Sequence, residues 1–236
     1  MTPQRFLLDP ATRLAYLAVG IIGCRPAEPA LVPAGAGPIP AEQVESWVAM
    51  TEPKAGALHR FRWLYQDEQS SKGGRGSARI SPPDTLRFDF AGSLGIGKGS
   101  ALVVGDTAVW VVPERSVEDL VPSFPLLWAL FGVARPPGPR AAVQGSAGPV
   151  RTAWRYAAGR DTVEYLRVSG EPVRFYAEVR RDGKVIGRTQ ATLGADGAAI
   201  KARLTVPSAP AKLEITFYET KPTSGFPAAT WDRPER

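Results

Sequence analysis

The sequence predicts a mainly β domain with short helices, folded as a single curved antiparallel sheet (an incomplete β-barrel) that a helical lid covers. A chain of 236 residues, 44% hydrophobic and 22% charged, can bury one sizeable core. Its 24 glycines and 23 prolines separate short apolar runs, as turns between strands would. Apolar and polar residues alternate along most of those runs, which is typical of strands with one buried face.

The N-terminus predicts a secreted lipoprotein. Arg5 and Arg13 precede an apolar run over residues 14–23, which ends at Cys24. A cationic start, a short apolar stretch and a small residue before the cut are typical of a secretory signal. The stretch Ile21-Ile22-Gly23-Cys24 also resembles the lipobox of bacterial lipoproteins, so we expect residues 1–23 to be removed and Cys24 to be acylated. The alternative is an ordinary thiol at the end of a buried helix.

Residues 24–40 are rich in Pro, Ala and Gly without apolar periodicity, which predicts a flexible tether before a domain over residues 41–236. The single cysteine excludes an intramolecular disulfide and a Cys-based zinc cluster. The formal net charge is +6, and the basic residues alternate along predicted strands instead of forming one cluster. This pattern favours attraction to anionic lipid head groups over nucleic-acid binding.

The domain begins with a predicted helix over residues 40–50, where Val44, Trp47 and Val48 share a face after Pro40. From residue 58 the apolar period changes to two, and about ten strands are expected. The clearest of them cover residues 58–65, 85–90, 101–112 (two strands around a turn at 105–106), 173–180, 184–193, 200–206 and 213–217.

Residues 116–132 interrupt the strands and predict one or two short helices. Ser116 with Asp119 resembles a capping box, and Gly132 ends the segment. Four apolar side chains would share one face of this segment: Leu126, Leu127, Leu130 and Phe131. Because a curved sheet with an apolar concave face needs a cover, we expect this segment to form the lid.

This order of elements, over about residues 40–230, resembles the LolA/LolB family of periplasmic lipoprotein carriers and outer-membrane lipoprotein receptors. Within residues 86–102, Leu94 followed by Gly95 looks like the receptor's loop, whose exposed Leu promotes insertion of cargo into the membrane. Residues 121–132 are similar to the receptor's Pro-rich lid helix. The resemblance implies a half-barrel whose helices cover an apolar cavity that accepts acyl chains.

Two sets of site residues follow. Leu94 and Ile96, with Lys98 near head groups, would form a membrane-contact loop; the alternative is an ordinary hairpin whose Leu folds back on the core. A second set would line the acyl-binding cavity, or else fill a dry core. That set comprises Phe61, Trp63, Phe88, Phe90, Trp110, Leu127, Trp128, Phe131 and Trp154.

No enzyme signature is present in the sequence, and we expect no catalytic residue, metal or cofactor. His59 is the only histidine and has no cysteine partner for a metal site. The Gly-rich run 95–100 precedes a predicted strand, whereas a phosphate loop must open a helix.

The sequence thus predicts a monomeric, lipid-anchored outer-membrane lipoprotein facing the periplasm. It would bind acyl chains or lipoproteins in an apolar cavity and aid their localisation or insertion. The alternative is a non-transporting envelope scaffold or sensor that binds a protein partner with the same fold.

Overall fold

The computed structural model describes residues 30–93, 98–112, 121–137, 141–208 and 210–234. They form two α-helices, α1 (Ala41–Ala49) and α2 (Phe124–Ala129), and a C-terminal 3-10 helix, Ala228–Trp231. The strands are β1 (Gly37–Pro38), β2 (Gly56–Gln66), β3 (Ser71–Ser81), β4 (Thr85–Gly92), β5 (Lys98–Val104), β6 (Thr107–Val112), β7 (Ala142–Ala147), β8 (Arg151–Ala158), β9 (Asp161–Val168), β10 (Val173–Arg181), β11 (Lys184–Leu193), β12 (Ala199–Val206) and β13 (Ala211–Thr223).

The thirteen strands form one antiparallel sheet in the order β1-β7-β8-β9-β10-β11-β12-β13-β2-β3-β4-β5-β6. The sheet is not closed, because β1 and β6 are both edge strands. The predicted fold class, an open antiparallel sheet with short helices, is confirmed. Strands β3, β7, β8 and β9 lie outside the ranges given for the expected strands. In β3 the reason is that Ser71–Gly76 is dominated by small residues and lacks apolar alternation.

One face of the sheet, here called the inner face, carries the main core. On β2 the side chains of His59 and Phe61 are buried, whereas those of Arg60 and Arg62 point to the opposite, outer face and are exposed. This confirms the alternation expected for residues 58–65. Helix α1 also confirms its predicted position, and buries Val44, Trp47 and Val48 as expected.

The hydrogen bonds of helix α2, here called the lid helix, show that the sheet curves around it. The carbonyl of Leu126 accepts a hydrogen bond from Thr189 on β11, and the indole of Trp128 donates one to the carbonyl of Gly105, just after β5. Six strand spacings separate β11 from β5, roughly 29 Å if the sheet were flat. Two residues of a single helical turn can reach both strands only because the sheet curves and the helix lies inside the curve.

The N-terminal segment packs on the outer face of the sheet. Val32 is fully buried against Ala153 and Leu166 in a small second core. Strand β1 pairs with β7 at the edge of the sheet. Thus residues 31–38, which belong to the expected tether, contact the sheet in the structure. The expected acylation site, Cys24, and the expected signal over residues 1–23 lie outside the described residues.

The lid helix covers only residues 124–129 of the segment expected to be helical, 116–132. Residues 113–120, which include the expected capping box, lie outside the described part of the chain. Within the described part, no helix combines the length and the apolar character needed to cross a bilayer.

Candidate functional site

A cavity of about 460 Å³ opens at one end of the curved sheet. The loop 50–55 between α1 and β2, the loop 194–198 between β11 and β12, and the segment after the lid helix surround it. Its volume lies in the range of small-molecule sites in proteins. Its apolar wall includes Ile80, Phe131, Val133, Val173, Phe175, Leu193 and Ala199.

Charged side chains surround the apolar interior of this cavity. Lys54 and Asp196 are exposed, and Glu52 and Arg167 are half-buried among its lining residues. An apolar wall with a charged rim matches an amphiphile, because the tail can leave water while the head remains solvated.

His59 forms part of the cavity wall and is buried. Its Nδ1 lies 3.1 Å from the hydroxyl of Thr220, and its ring contacts Phe131 and Phe217 at centroid distances of 5.4 and 5.9 Å. Burial lowers the pKa of His59 to about 4, because desolvation disfavours the imidazolium. At neutral pH the imidazole is therefore uncharged, as an apolar cavity requires.

Most of the residues expected to line a cavity lie together in the core of the inner face. Phe61 stacks on Phe88 at 5.1 Å, and Phe131 meets Phe217, which also contacts Phe61, edge-on. The others are deeply buried in the same core: Leu127, Trp128 and Trp154. Only Phe131 among the expected set also lines the 460 Å³ cavity.

Trp63 and Phe90 occupy the opposite end of the inner face. Both are half-buried, and their rings meet edge-on at 5.8 Å. Leu94 and Ile96 of the expected membrane-contact loop lie outside the described residues. Lys98, the third member of that loop, is exposed at the start of β5.

Trp110 lies on the outer face, away from the other expected cavity residues. Its indole N–H donates to the carbonyl of Trp231 at 3.1 Å, and the Arg87 guanidinium lies 5.4 Å from its ring centre. A β-bulge explains this position. Val103 pairs with Ala108, but Leu102 pairs with Trp110, so one extra residue turns Trp110 to the other face.

The lid helix is held in place by specific contacts. The Leu126 side chain covers Gly187 in the middle of β11, where an added Cβ would overlap Leu126 Cδ1. The hydroxyl of Thr189 donates to the Leu126 carbonyl at 3.0 Å. On the other side of the helix, the Arg135 guanidinium lies 4.4 Å from the centre of the Trp128 ring. Gly187 was detectable in the sequence as a glycine inside an otherwise regular strand.

Several cavity residues have no counterpart in the expected site. Val173, Leu193 and Ala199 lie at strand ends, and Val133 follows the lid helix. Alternation assigns such residues to the buried face but does not indicate that an opening lies beside them. Among the described residues, no group of three or more His, Cys, Asp or Glu side chains is placed to hold a metal ion.

Neither a protein-family model nor a curated protein matches this sequence. Among solved structures, the chain is similar to a LolA superfamily protein from Nitrosomonas europaea, at 7% identity and a TM-score of 0.41, over 83% of this chain and 98% of that one. It is also similar to a putative outer membrane lipoprotein-sorting protein domain from Vibrio parahaemolyticus, at 8% identity and a TM-score of 0.33, over 80% and 95% of the two chains. A third is MucB in complex with MucA(peri), at 12% identity and a TM-score of 0.35, over 83% of this chain and 60% of MucB. At such identities and TM-scores the function has to be argued from the chain's own residues.

Proposed function

We propose that this chain is an outer-membrane lipoprotein, acylated at Cys24 and facing the periplasm, whose curved sheet shelters an acyl chain or an apolar peptide. The observation that carries the proposal is the apolar cavity with a charged rim at the end of the sheet. Phe131 and Phe175 belong both to its wall and to the main core. A tail that enters the cavity therefore meets the aromatic interior directly.

The energetics favour a meaningful affinity. Burying the methylenes of a palmitoyl chain at about 0.8 kcal/mol each supplies on the order of 10 kcal/mol before ordering costs. Deeper entry requires the lid helix to move, because Leu126–Leu130 fill the space inside the curve. In the proposed cycle the lid helix shifts, the ligand enters or leaves, and the loop with Leu94 and Ile96 touches the bilayer during transfer, with Lys98 near head groups.

A second candidate function is a non-transporting envelope scaffold or sensor that binds a protein partner. The closed state of the lid helix favours it. Leu126 and Trp128 are fully buried; Leu126 accepts a hydrogen bond from Thr189 on β11, and Trp128 donates one to Gly105 in the turn after β5. Such a core would be stable without any lipid inside.

The test uses the chain from residue 25 to 236, which contains every described strand and both described core clusters. Protein purified from a bacterial periplasm is analysed by native mass spectrometry and lipid extraction, and then titrated with a fluorescent palmitate analogue. Val173→Trp fills the cavity from its wall, and Val150→Trp makes the same change at an exposed turn, where Val150 is 54% exposed.

We expect co-purified lipid or acylated peptide, and uptake of the fluorescent palmitate. Val173→Trp should weaken uptake at least about tenfold, since it occupies the space of several methylenes, and Val150→Trp should leave it unchanged. An empty protein that does not take up the analogue would contradict the lipid-binding proposal and favour the scaffold. Equal affinities in both variants would show that the cavity is not the binding site.

A further inference from the structure

On strands β2 to β5, one row of the outer face carries three basic side chains. Reading across the strands, Arg62 on β2 pairs with Arg75 on β3, Arg75 pairs with Ala91 on β4, and Ala91 pairs with Lys98 on β5. All three basic residues are exposed. Beyond Arg62 the row continues through Thr216 on β13, Lys201 on β12, Thr192 on β11 and Arg174 on β10, and none of these described residues carries a carboxylate.

This arrangement is unfavourable for the fold alone. Like charges directly opposite each other on neighbouring strands destabilise a sheet. Other arginines on the same face do have carboxylate partners, since Arg60 pairs with Glu219 at 2.8 Å and Arg79 with Asp89 at 2.7 Å. Within the described part of the chain, the side chains of the basic row (Arg62, Arg75 and Lys98) make no ion pair or hydrogen bond. Their positive charge is available to a ligand.

A groove of about 550 Å³ runs along this part of the outer face. Arg75 and Lys98 line it together with Arg60, Arg87 and the exposed Tyr218. The carboxylate of Asp89 also lines the groove and is paired with Arg87 and Arg79, which leaves Arg75 and Lys98 as the free cations among the groove's described residues. Arg75 and Lys98 stand two strand spacings apart, roughly 10 Å, with only the methyl group of Ala91 between them. That gap accommodates a phosphate group between a guanidinium and an ammonium, both of which are strong phosphate donors.

We propose that this groove binds the phosphate of an anionic phospholipid head group and so holds the outer face against a bilayer. The groove is wide and open, and its basic side chains come from four neighbouring strands. A charged lipid surface presents head groups at high density to such a face, and each basic residue near that surface strengthens binding. The inference goes beyond acyl binding, because the groove and the interior cavity lie on opposite faces of the sheet. It shares only Lys98 with the membrane contact of the proposed function.

The test measures sedimentation of residues 25–236 with vesicles of phosphatidylcholine alone and with added phosphatidylglycerol. The groove variant is Arg75→Gln with Lys98→Gln. Its control is Arg174→Gln with Lys201→Gln. These two exposed side chains lie on β10 and β12, further along the same row of the outer face, and neither lines the groove. Both variants lose the same charge from the same face. Thermal unfolding confirms that each variant is folded, and Arg75→Gln alone should not lower the melting temperature because it relieves like-charge repulsion.

We expect binding only to vesicles with phosphatidylglycerol, weakened by added salt. The groove variant should bind roughly 30-fold more weakly, from two lost basic contacts, and the control should change less than about twofold. Equal losses in the two variants would overturn the proposal in favour of a diffuse charge effect. Binding of inorganic phosphate without vesicle binding would also overturn it. Arg75→Gln alone should still take up fluorescent palmitate, because Arg75 lies on the outer face and does not line the interior cavity. This test and that of the interior cavity therefore fail independently.

Discussion

The indole N–H of Trp128 donates a hydrogen bond of 2.8 Å to the carbonyl oxygen of Gly105, which joins the lid helix to the turn after β5. A helix of six residues is not stable by itself. Contacts of this kind therefore determine whether the lid helix is closed. Four predictions concern the lid helix, the cavity wall and the N-terminal segment.

The first prediction concerns this hydrogen bond. Trp128→Phe keeps an aromatic ring in the core but leaves the Gly105 carbonyl without its donor. We expect a loss of about 1–3 kcal/mol in the free energy of unfolding, measured in urea. We also expect faster uptake of fluorescent palmitate, because the lid helix opens more readily.

The control for this variant is Trp110→Phe, which removes an indole hydrogen bond to Trp231 on the outer face. It should not change the rate of uptake. If both variants took up palmitate at the wild-type rate, the lid helix would not gate the interior.

The second prediction concerns the packing of the lid helix against Gly187 on β11. Gly187→Ala places a methyl group against Leu126. Because overpacking destabilises a core, we expect the free energy of unfolding, measured in urea, to fall by about 1–3 kcal/mol. Gly148→Ala is the matched control, because its new Cβ would lie 3.8 Å from the nearest atom, the Arg151 carbonyl oxygen. In a double-mutant cycle with Leu126→Ala, the loss of unfolding free energy caused by Gly187→Ala should be smaller, because both changes act on one contact. If the losses from the two single variants were strictly additive, the contact between Gly187 and Leu126 would be refuted.

The third prediction concerns pH. Burial lowers the pKa of His59 to about 4 in the folded chain, against 6.5 for an imidazole in water. Between these values the unfolded chain binds the proton and the folded chain does not. The contribution to stability is therefore fully present above pH 6.5 and is lost as the pH falls towards 4, and it amounts to about 3 kcal/mol.

Urea unfolding at about pH 7 and pH 4.5 measures this loss. The variant His59→Gln has no group that titrates at this position, so its stability should fall less than that of the wild type over the same interval. Parallel pH profiles for the two proteins would mean that His59 is not desolvated in the folded chain.

The fourth prediction concerns the attachment of the N-terminal segment. The buried carboxylate of Glu164 accepts hydrogen bonds from the backbone N–H groups of Leu31 and Val32, at 3.0 and 3.3 Å, and from Arg155 at 2.7 Å. Glu164→Gln leaves the guanidinium of Arg155 without its counter-charge. We expect a loss of roughly 3 kcal/mol in unfolding free energy, and faster hydrogen exchange at the amides of Leu31 and Val32.

The control is Glu219→Gln, at a carboxylate that pairs with the half-exposed Arg60 on the outer face. Exposed pairs of this kind contribute at most about 1 kcal/mol. Unchanged exchange at Leu31 and Val32 in Glu164→Gln would show that other contacts hold the segment.

Local patterns in the sequence were enough to predict which face is buried in most of the expected strands, and where α1 forms. Alternation on β2 separates Phe61 from Arg62, and helical spacing groups Val44 with Val48. These patterns are local, because a strand repeats every two residues and a helix every 3.6. They were sufficient to predict an open antiparallel sheet with a cover.

The positions of the cavity, of the groove and of the β-bulge depend on long-range contacts and could not be predicted from those local patterns. A bulge opposite Leu102 moves Trp110 to the outer face, and the packing of Val32 extends the ordered chain into the expected tether. The cavity beside Val173 and the basic row through Arg75 each combine residues from several strands. Such sites depend on register and curvature, which arise from contacts distant in the chain and leave no periodic mark in the sequence.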